Sequence, residues 1–186
     1  MALRDLSPKL TYEDYILLPD DGRRHEIIEG VHYVTAAPFV RHQRVSLGLS
    51  TEFSNFLRAH PLGEVLYAPV DVLLSPHDIY QPDLVFISRE RFRIVTEKNI
   101  QGAPDLVVEI LSEGTRRIDE DLKLRNYDRF GVREYWLVDP LRRAVTVYRR
   151  REEGLLQVAE LRAEDEDVLT TPMLPGLKIV LGELFR

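Results

Sequence analysis

The chain has 186 residues, 44% of them hydrophobic, which suffices for one globular domain over residues 1–186 with a sizeable core. Its formal net charge of -6 argues against binding nucleic acid through bulk positive charge, although a local basic groove is compatible with an acidic total. The absence of cysteine excludes a disulfide framework, a thiolate zinc site and a cysteine nucleophile. No run of about 18 apolar residues occurs, so we expect a cytoplasmic protein with no membrane partner.

The first predicted elements are an N-terminal arm, a hairpin and a long helix. Residues 1–24 form the arm, in which Thr11 caps a short helix. Alternating apolar residues predict two short strands between Arg24 and Thr35, and they place Glu26 on the first strand. After Pro38, apolar residues recur at helical spacing and predict the longest helix, over residues 39–60.

The middle of the chain predicts three strands and a surface segment. Residues 64–68 and 70–74 are expected as strands separated by Pro69, and residues 75–78 as a turn. Asp83 then precedes the apolar run of residues 84–87, which is too short for a helix and rich in β-formers, so we expect a buried strand. The charged residues between 88 and 101 indicate an irregular or partly helical surface segment.

A second buried strand, residues 105–111, carries a carboxylate. With a period of two, Glu109 shares its face with Asp105 and Val107. A charge inside an apolar strand costs free energy unless it is paired or holds a metal. A helix over residues 118–130, closed by a glycine, and a third buried strand follow, so the spacing predicts a parallel βαβ unit.

Residues 144–186 are expected to form a β-rich extension, beginning with a hairpin and ending in short strands and a helical turn. Together these elements predict an α/β fold: a mixed β-sheet flanked by helices, with the helix of residues 39–60 on one face and the helix of residues 118–130 on the other.

Three side chains carry the predicted chemistry. Asp83 and Glu109 lie on two buried strands, and if the strands are adjacent both carboxylates reach one hard cation, which prefers oxygen ligands. Lys123, on the following helix, supplies a positive charge beside them. Two carboxylates, a divalent ion and a lysine are the groups needed to activate water and to stabilise charge on a phosphodiester under attack.

The sequence resembles the Uma-two family, restriction-endonuclease-like proteins of the PD-(D/E)xK nuclease superfamily. The resemblance covers nearly the whole chain, and its motifs are specific when taken together. They are HEIIEG near the start, His42 at the beginning of the long helix, QPDLVFI, GAPDLVVEILS, the series Asp119, Lys123 and Tyr127, and GVREYWLVDP.

The resemblance implies a restriction-endonuclease-like fold and a divalent-metal site that uses Mg²⁺ or Mn²⁺. Asp83 and Glu109 are then the carboxylate ligands, and the main-chain carbonyl of Ile110 completes the shell. Glu26 matches an early glutamate of the family, a candidate to hold water beside the ion or a second ion. Leu111 stands where the basic (D/E)xK pattern has lysine, and Lys123 matches the position to which that lysine has migrated.

Each of these residues also has an ordinary structural interpretation. Asp83 can be a strand-entry residue that binds local backbone amides, and Glu109 a member of a structural ion pair. Lys123 can pair with Asp119 on a helix surface, a contact worth a few tenths of a kcal/mol. Glu26 adjoins other charged residues and can belong to a solvated cluster.

Four further residues are candidates to order the site or to contact phosphate: His42, Asp105, Arg116 and Tyr127. Packing or capping is the alternative for His42, a turn role for Asp105, and a solvated charge for Arg116. Tyr127 lies four residues after Lys123 and therefore on neighbouring helix surface.

The predicted activity is metal-dependent endonucleolytic hydrolysis of nucleic acid, DNA rather than RNA. One alternative is a catalytically silent nuclease-like module that binds nucleic acid or a protein partner, and another is a hydrolase of smaller phosphate esters. A homodimer is also expected, because cutting a duplex usually needs two active sites and because Tyr135, Trp136 and Tyr148 are predicted near the sheet edge.

Overall fold

The computed structural model describes residues 8–186, so the first seven residues of the predicted arm lie outside it. The described chain begins with a short helix, α1 (Tyr12–Tyr15). A hairpin of β1 (Arg24–Ile28) and β2 (Val31–Thr35) follows. Glu29-Gly30 forms its turn with φ values of 55° and 83°, which is the geometry that a two-residue hairpin loop requires.

The longest helix, α2 (Val40–Ala59), confirms the helix predicted from apolar periodicity. It buries Val45, Leu49, Phe53 and Leu57, which recur every four residues and so form one stripe along the helix. The remaining elements follow in chain order: β3 (Gly63–Tyr67), β4 (Val72–Ser75), β5 (Asp78–Tyr80), β6 (Leu84–Ser88), a 3₁₀ helix (Arg89–Ile94), β7 (Ile100–Gln101), β8 (Leu106–Ile110), a π-helical segment (Ile118–Lys123) continuing into α3 (Leu124–Arg129), β9 (Glu134–Asp139), β10 (Ala144–Arg151), β11 (Gly154–Arg162), a 3₁₀ turn (Ala163–Asp165), β12 (Val168–Leu169), β13 (Ile179–Val180) and α4 (Leu181–Leu184).

A six-stranded mixed sheet, in the order β11-β10-β9-β8-β6-β3, forms the centre of the molecule. Strands β8 and β9 run parallel and are joined through the π-helical segment and α3, so the predicted βαβ unit is confirmed. The other neighbours in this sheet pair antiparallel. None of the helices within residues 8–186 has the length and apolarity to cross a membrane.

The two faces of this sheet support two hydrophobic cores. Helix α2 packs on one face, where β8 contributes Leu106, Val108 and Ile110. Residues Val107 and Leu111 of the same region point to the other face, against the helical segment that includes Tyr127. The alternation predicted for this strand and the placement of the two helices on opposite faces are therefore both confirmed.

A second sheet, in the order β2-β1-β5-β4-β7, joins the core on the face that α3 covers. Its residues Ile28, Val72 and Tyr80 are fully buried there. Strand β5 was not expected, because the sequence predicted only a turn up to Asp78. This sheet matters for the site because β1 carries both Arg24 and Glu26 towards the large sheet.

The aromatic residues expected near a sheet edge do not lie there. Tyr135 and Trp136 are fully buried on β9, in the interior of the sheet, and only Tyr148 on β10 is partly accessible. The apolar residues of β9 point alternately into the two cores, so Tyr135 and Trp136 have no free surface for a partner. The aromatic argument for a homodimer is therefore wrong, and dimerisation itself stays a prediction.

Candidate active site

Asp83 lies where β6 begins, opposite the end of β8. Leu84 pairs with Val108, and the same antiparallel register continued by one residue sets Asp83 opposite Glu109. Directly opposite residues on one sheet face have Cβ atoms about 5 Å apart, so the two side chains are neighbours on that face. The pairing of these two residues, which the sequence suggested from their positions on buried strands, is therefore built into the sheet.

Both carboxylate oxygens of Asp83 accept hydrogen bonds. Arg24 donates to Oδ1 over 2.8 Å, and the backbone N–H of Ile110 donates to Oδ2 over 2.7 Å. Nε2 of His42, from α2, lies 3.2 Å from Oδ2. Burial raises the pKa of Asp83, but the contacts with His42, Arg24 and Ile110 outweigh it and hold the pKa at about 2. Asp83 is thus a buried carboxylate that remains ionised.

Lys123 points into the protein. Its Nζ atom donates to Oε1 of Glu109 over 2.9 Å and lies 3.0 Å from Oε1 of Glu26, and the side chain is only 3% exposed. Tyr127 adds a second donor, with its hydroxyl 2.8 Å from the same Glu109 oxygen. The alternative in which Lys123 makes only surface pairs is therefore wrong, and Tyr127 belongs to the same cluster.

Asp119, which the sequence offers both as a motif residue and as a surface partner of Lys123, is a fourth buried carboxylate. Its Oδ1 lies 3.4 Å from Lys123 Nζ, yet it accepts no hydrogen bond from the described residues. Burial raises its pKa to about 6, although Lys123 and Thr115 act to lower it. The spacing of four residues from Lys123 was the available signal, because it places both side chains on one helix face.

Glu109 is the carboxylate whose ionisation costs most. Burial raises its pKa and Lys123 lowers it, while the negative charges of Asp119, Asp83 and Glu26 raise it, so that the pKa is about 8. Burial acts to lower the pKa of Lys123, but Glu109, Glu26 and Asp119 together raise it well above its ordinary value. The lysine therefore carries its positive charge in the folded protein.

With all four carboxylates ionised, the cluster carries more negative than positive charge. Four buried carboxylates face two permanent cations, which are Lys123 and Arg24. An excess of negative charge in a water-poor site is costly, and protonation of Glu109, whose pKa is about 8, or a divalent ion in its place would relieve it. The cluster consists of Glu26, Asp83, Glu109, Asp119, Lys123 and Arg24.

The oxygen donors fit a hard divalent ion. Asp83 and Glu109 offer carboxylates, and the carbonyl of Ile110 points to the same side of its strand as the N–H that Asp83 binds. No group of three or more His, Cys, Asp or Glu side chains within residues 8–186 is arranged to hold a metal. Mg²⁺ commonly takes one or two carboxylates and keeps several waters, so the oxygen donors present are of the kind that it uses.

The structure brings together some of the predicted residues and separates others. Glu26 belongs to the cluster, and His42, Tyr127 and the backbone of Ile110 contact it. Asp105 lies at the opposite end of β8, where it is fully buried and paired with Arg91 and Arg133. That position excludes it from the site, because the strand separates it from Glu109.

Arg116 also lies outside the cluster. Its guanidinium donates to Asp139 over 2.7 Å and to Glu120 over 3.0 Å, at a cavity of about 330 Å³ between the helical segment and β10. Arg24, by contrast, is a site residue that the sequence reasoning did not name. It shares a strand face with Glu26, so the period of two along β1 was the signal that pointed to it.

Comparisons with known proteins agree with this architecture. The model of the Uma2 family, described as a putative restriction endonuclease, matches residues 12–182. Uncharacterized protein slr1290 of Synechocystis sp. is 27% identical over 184 residues, which cover 96% of this chain and 93% of that protein. The crystal structure of a putative nuclease belonging to DUF820 from Anabaena variabilis has a TM-score of 0.78 at 20% identity, covering 95% of this chain and 97% of the other.

The structural likeness shows a shared, restriction-endonuclease-like fold, and the family description places the chain among nuclease-like proteins. The family model extends over both sheets and over every residue of the charged cluster. The Uma-two resemblance carried by the motifs is thereby confirmed, and the chain belongs to the Uma2 family of restriction-endonuclease-like proteins.

Proposed function

We propose that this protein is a divalent-metal-dependent endonuclease that hydrolyses phosphodiester bonds in DNA. The observation that carries the proposal is the inward position of Lys123, which lies 2.9 Å from Glu109 at the strand end where Asp83 stands opposite. A buried lysine beside two carboxylates is costly as a structural device, because hydrophobic residues of similar volume would often be as stable. A catalytic use accounts for that cost.

Each group has a distinct role in this proposal. Asp83, Glu109 and the carbonyl of Ile110 hold Mg²⁺ or Mn²⁺. When bound, the ion supplies Lewis-acid stabilisation of the phosphate oxygens and assists ionisation of water. Lys123 orients the attacking water and stabilises the negative charge that develops on the phosphate, and Glu26 holds Lys123 in place.

Arg24, His42 and Tyr127 position these groups. Arg24 and His42 fix the Asp83 carboxylate from two sides, and Tyr127 fixes Glu109. A carboxylate held by two or three donors cannot rotate away from the ion, so the donors are organised in advance of substrate binding. We also propose a cytoplasmic location and a homodimer.

The test compares the wild type with Asp83→Asn, Glu109→Gln and Lys123→Met on supercoiled, linear and single-stranded DNA, with Mg²⁺, Mn²⁺ or chelator. Lys98→Met is the matched control, because Lys98 is exposed. We expect cleavage by the wild type and the control in the presence of metal, and a loss of at least a hundredfold in the three site variants, as is typical when a group that stabilises transition-state charge is removed.

The competing function is a silent module that binds nucleic acid. One observation favours it: both oxygens of Asp83 already accept hydrogen bonds, so a metal must compete with Arg24 and His42. Cleavage that persists in Asp83→Asn or in chelator contradicts the catalytic proposal. Binding without cleavage on every substrate by a folded wild type supports the silent module instead.

A further inference from the structure

An apolar and aromatic surface lies beside the candidate active site. Residues 36–41 are all exposed, and Phe39 and Val40 have exposed fractions of 62% and 68%. Exposing a phenyl ring to water forgoes roughly 1.5–3 kcal/mol of burial free energy, which a flat apolar ligand would recover by covering the ring.

Phe39 is paired with a cation. The guanidinium carbon of Arg41 lies 5.4 Å from the centroid of the Phe39 ring, which is within the range of a cation–π interaction. Arg41 is itself 46% exposed and lies 3.8 Å from Glu113, in the loop that follows β8. The ring remains largely accessible in this arrangement, so a second flat group can reach it while the guanidinium is available to a phosphate.

The pair is close to the residues proposed to cut the phosphodiester. Phe39 precedes α2, and His42 follows three residues later, one helical turn away on neighbouring helix surface. His42 Nε2 lies 3.2 Å from Asp83, and the Nδ1 atom of the same ring is buried without a hydrogen-bond partner among the described residues.

We propose that Phe39 and Arg41 form a stacking platform for an unpaired nucleobase next to the scissile phosphodiester, so that the preferred substrate is single-stranded DNA. In this arrangement the base stacks on Phe39, Arg41 contacts the adjoining phosphate, and the next phosphodiester lies where Asp83 and Glu109 would hold the divalent ion. The statement that the neighbouring phosphodiester is cleaved rests on the proposed function. The statement that Phe39 and Arg41 bind an unpaired base does not.

The charge of the chain favours this substrate over an intact duplex. Affinity for duplex DNA comes largely from neutralising phosphates, and the protein has a net charge of -6. Stacking on an aromatic ring does not depend on net charge and accepts any base. In an intact duplex both faces of each base are already stacked, so the Phe39 ring has no base to bind unless one is unpaired. The platform binds a base of one strand within one protomer, so this binding does not depend on the oligomeric state.

The experiment measures binding and base stacking separately from cleavage. Wild type, Phe39→Ala, Phe39→Trp and the control Phe92→Ala are titrated against a short labelled single strand and the matching duplex, with Ca²⁺ or with chelator. Phe92 suits as control because it is a second exposed phenylalanine, 40% exposed on the 3₁₀ helix after β6. Circular dichroism verifies that each variant is folded.

For Phe39→Ala we expect single-strand affinity about tenfold weaker, with little change for duplex, because base–aromatic stacking is of that size. Phe39→Trp retains or exceeds wild-type affinity, and Phe92→Ala matches the wild type. Fluorescence of 2-aminopurine placed in the strand is quenched by wild type and not by Phe39→Ala. Equal losses for single strand and duplex, or unchanged single-strand binding and quenching in Phe39→Ala, overturn the platform.

The platform and the proposed function fail in different ways. If the wild type cleaves no DNA but its single-strand binding depends on Phe39, the endonuclease proposal fails and the platform stands. If the wild type cleaves DNA and Phe39→Ala cleaves and binds single strands as the wild type does, the platform fails and the endonuclease proposal stands.

Discussion

Replacing Lys123 by methionine tests the buried cluster through stability. Methionine is unbranched and of similar length, so it fills the space of the lysine stem and removes only the ammonium group. The group removed lies 2.9 Å from Glu109, 3.0 Å from Glu26 and 3.4 Å from Asp119, all of which are buried. The substitution therefore isolates the electrostatic role of the lysine.

The expected loss in the free energy of unfolding is about 3–5 kcal/mol, the usual cost of breaking a buried ion pair by removing one partner. Protonation of the remaining carboxylates limits this loss. The pKa values of Asp119 and Glu109 are raised to about 6 and about 8, above their values in the unfolded chain. Lys123 lowers both pKa values in the wild type, so the variant keeps these carboxyls protonated to higher pH than the wild type does, and the loss grows as the pH rises above about 6.

Urea denaturation in chelator measures this effect at several pH values, with Lys98→Met as the exposed-lysine control, for which we expect a change within about 0.5 kcal/mol. The reasoning is refuted if Lys123→Met is as stable as the wild type throughout, or if its deficit shrinks as the pH rises. Either result would mean that the ammonium group does not compensate the buried carboxylates.

Three further substitutions or additions test other parts of the structure. Mg²⁺ at a hundredfold excess over its Kd stabilises the folded wild type by about 2.7 kcal/mol and therefore raises its Tm. The Tm of Asp83→Asn does not change with Mg²⁺, and thermal denaturation measures both. Glu134→Ala removes the buried acceptor of Trp136 (2.6 Å) and Arg149 (3.1 Å), so we expect a loss of about 3 kcal/mol in urea denaturation, and a smaller one for Glu134→Gln. Gly131→Ala costs about 1 kcal/mol, because φ is +86° there with open space around it, whereas Gly114→Ala at an equally open position without positive φ changes stability little.

The main elements were predictable where the sequence carries a long or continuous apolar pattern. Helix α2 shows four regularly spaced core residues, and strands β6 and β8 are apolar runs bounded by turn residues. Strand β5 was missed because it has three residues, too few to show a period. It pairs antiparallel with β4 across a tight turn and with β1 through Ile27 and Ile79. The contact with β1 joins distant segments and therefore leaves no local signal in the sequence.

The carboxylates of the site were predictable and the environment of the lysine was not. Asp83 and Glu109 stand out because they interrupt or precede apolar strands. The spacing of Asp119 and Lys123 is the same for an exposed surface pair and for a buried one, so sequence alone does not distinguish them. Lys123 is buried because Glu26 and Glu109, which lie on two different sheets, both contact its ammonium group.

The hairpin that carries Arg24 and Glu26 also determines how much of the chain must be synthesised before the site can form. Glu29 at its turn is bound by Asn126, 97 residues later in the chain, and Glu26 contacts Lys123 three residues before that. Contacts of such long sequence separation form slowly and require loop closure over most of the chain. During synthesis Glu26 therefore cannot form its contact with Lys123 until the π-helical segment has been synthesised. A shorter nascent chain cannot assemble the cluster.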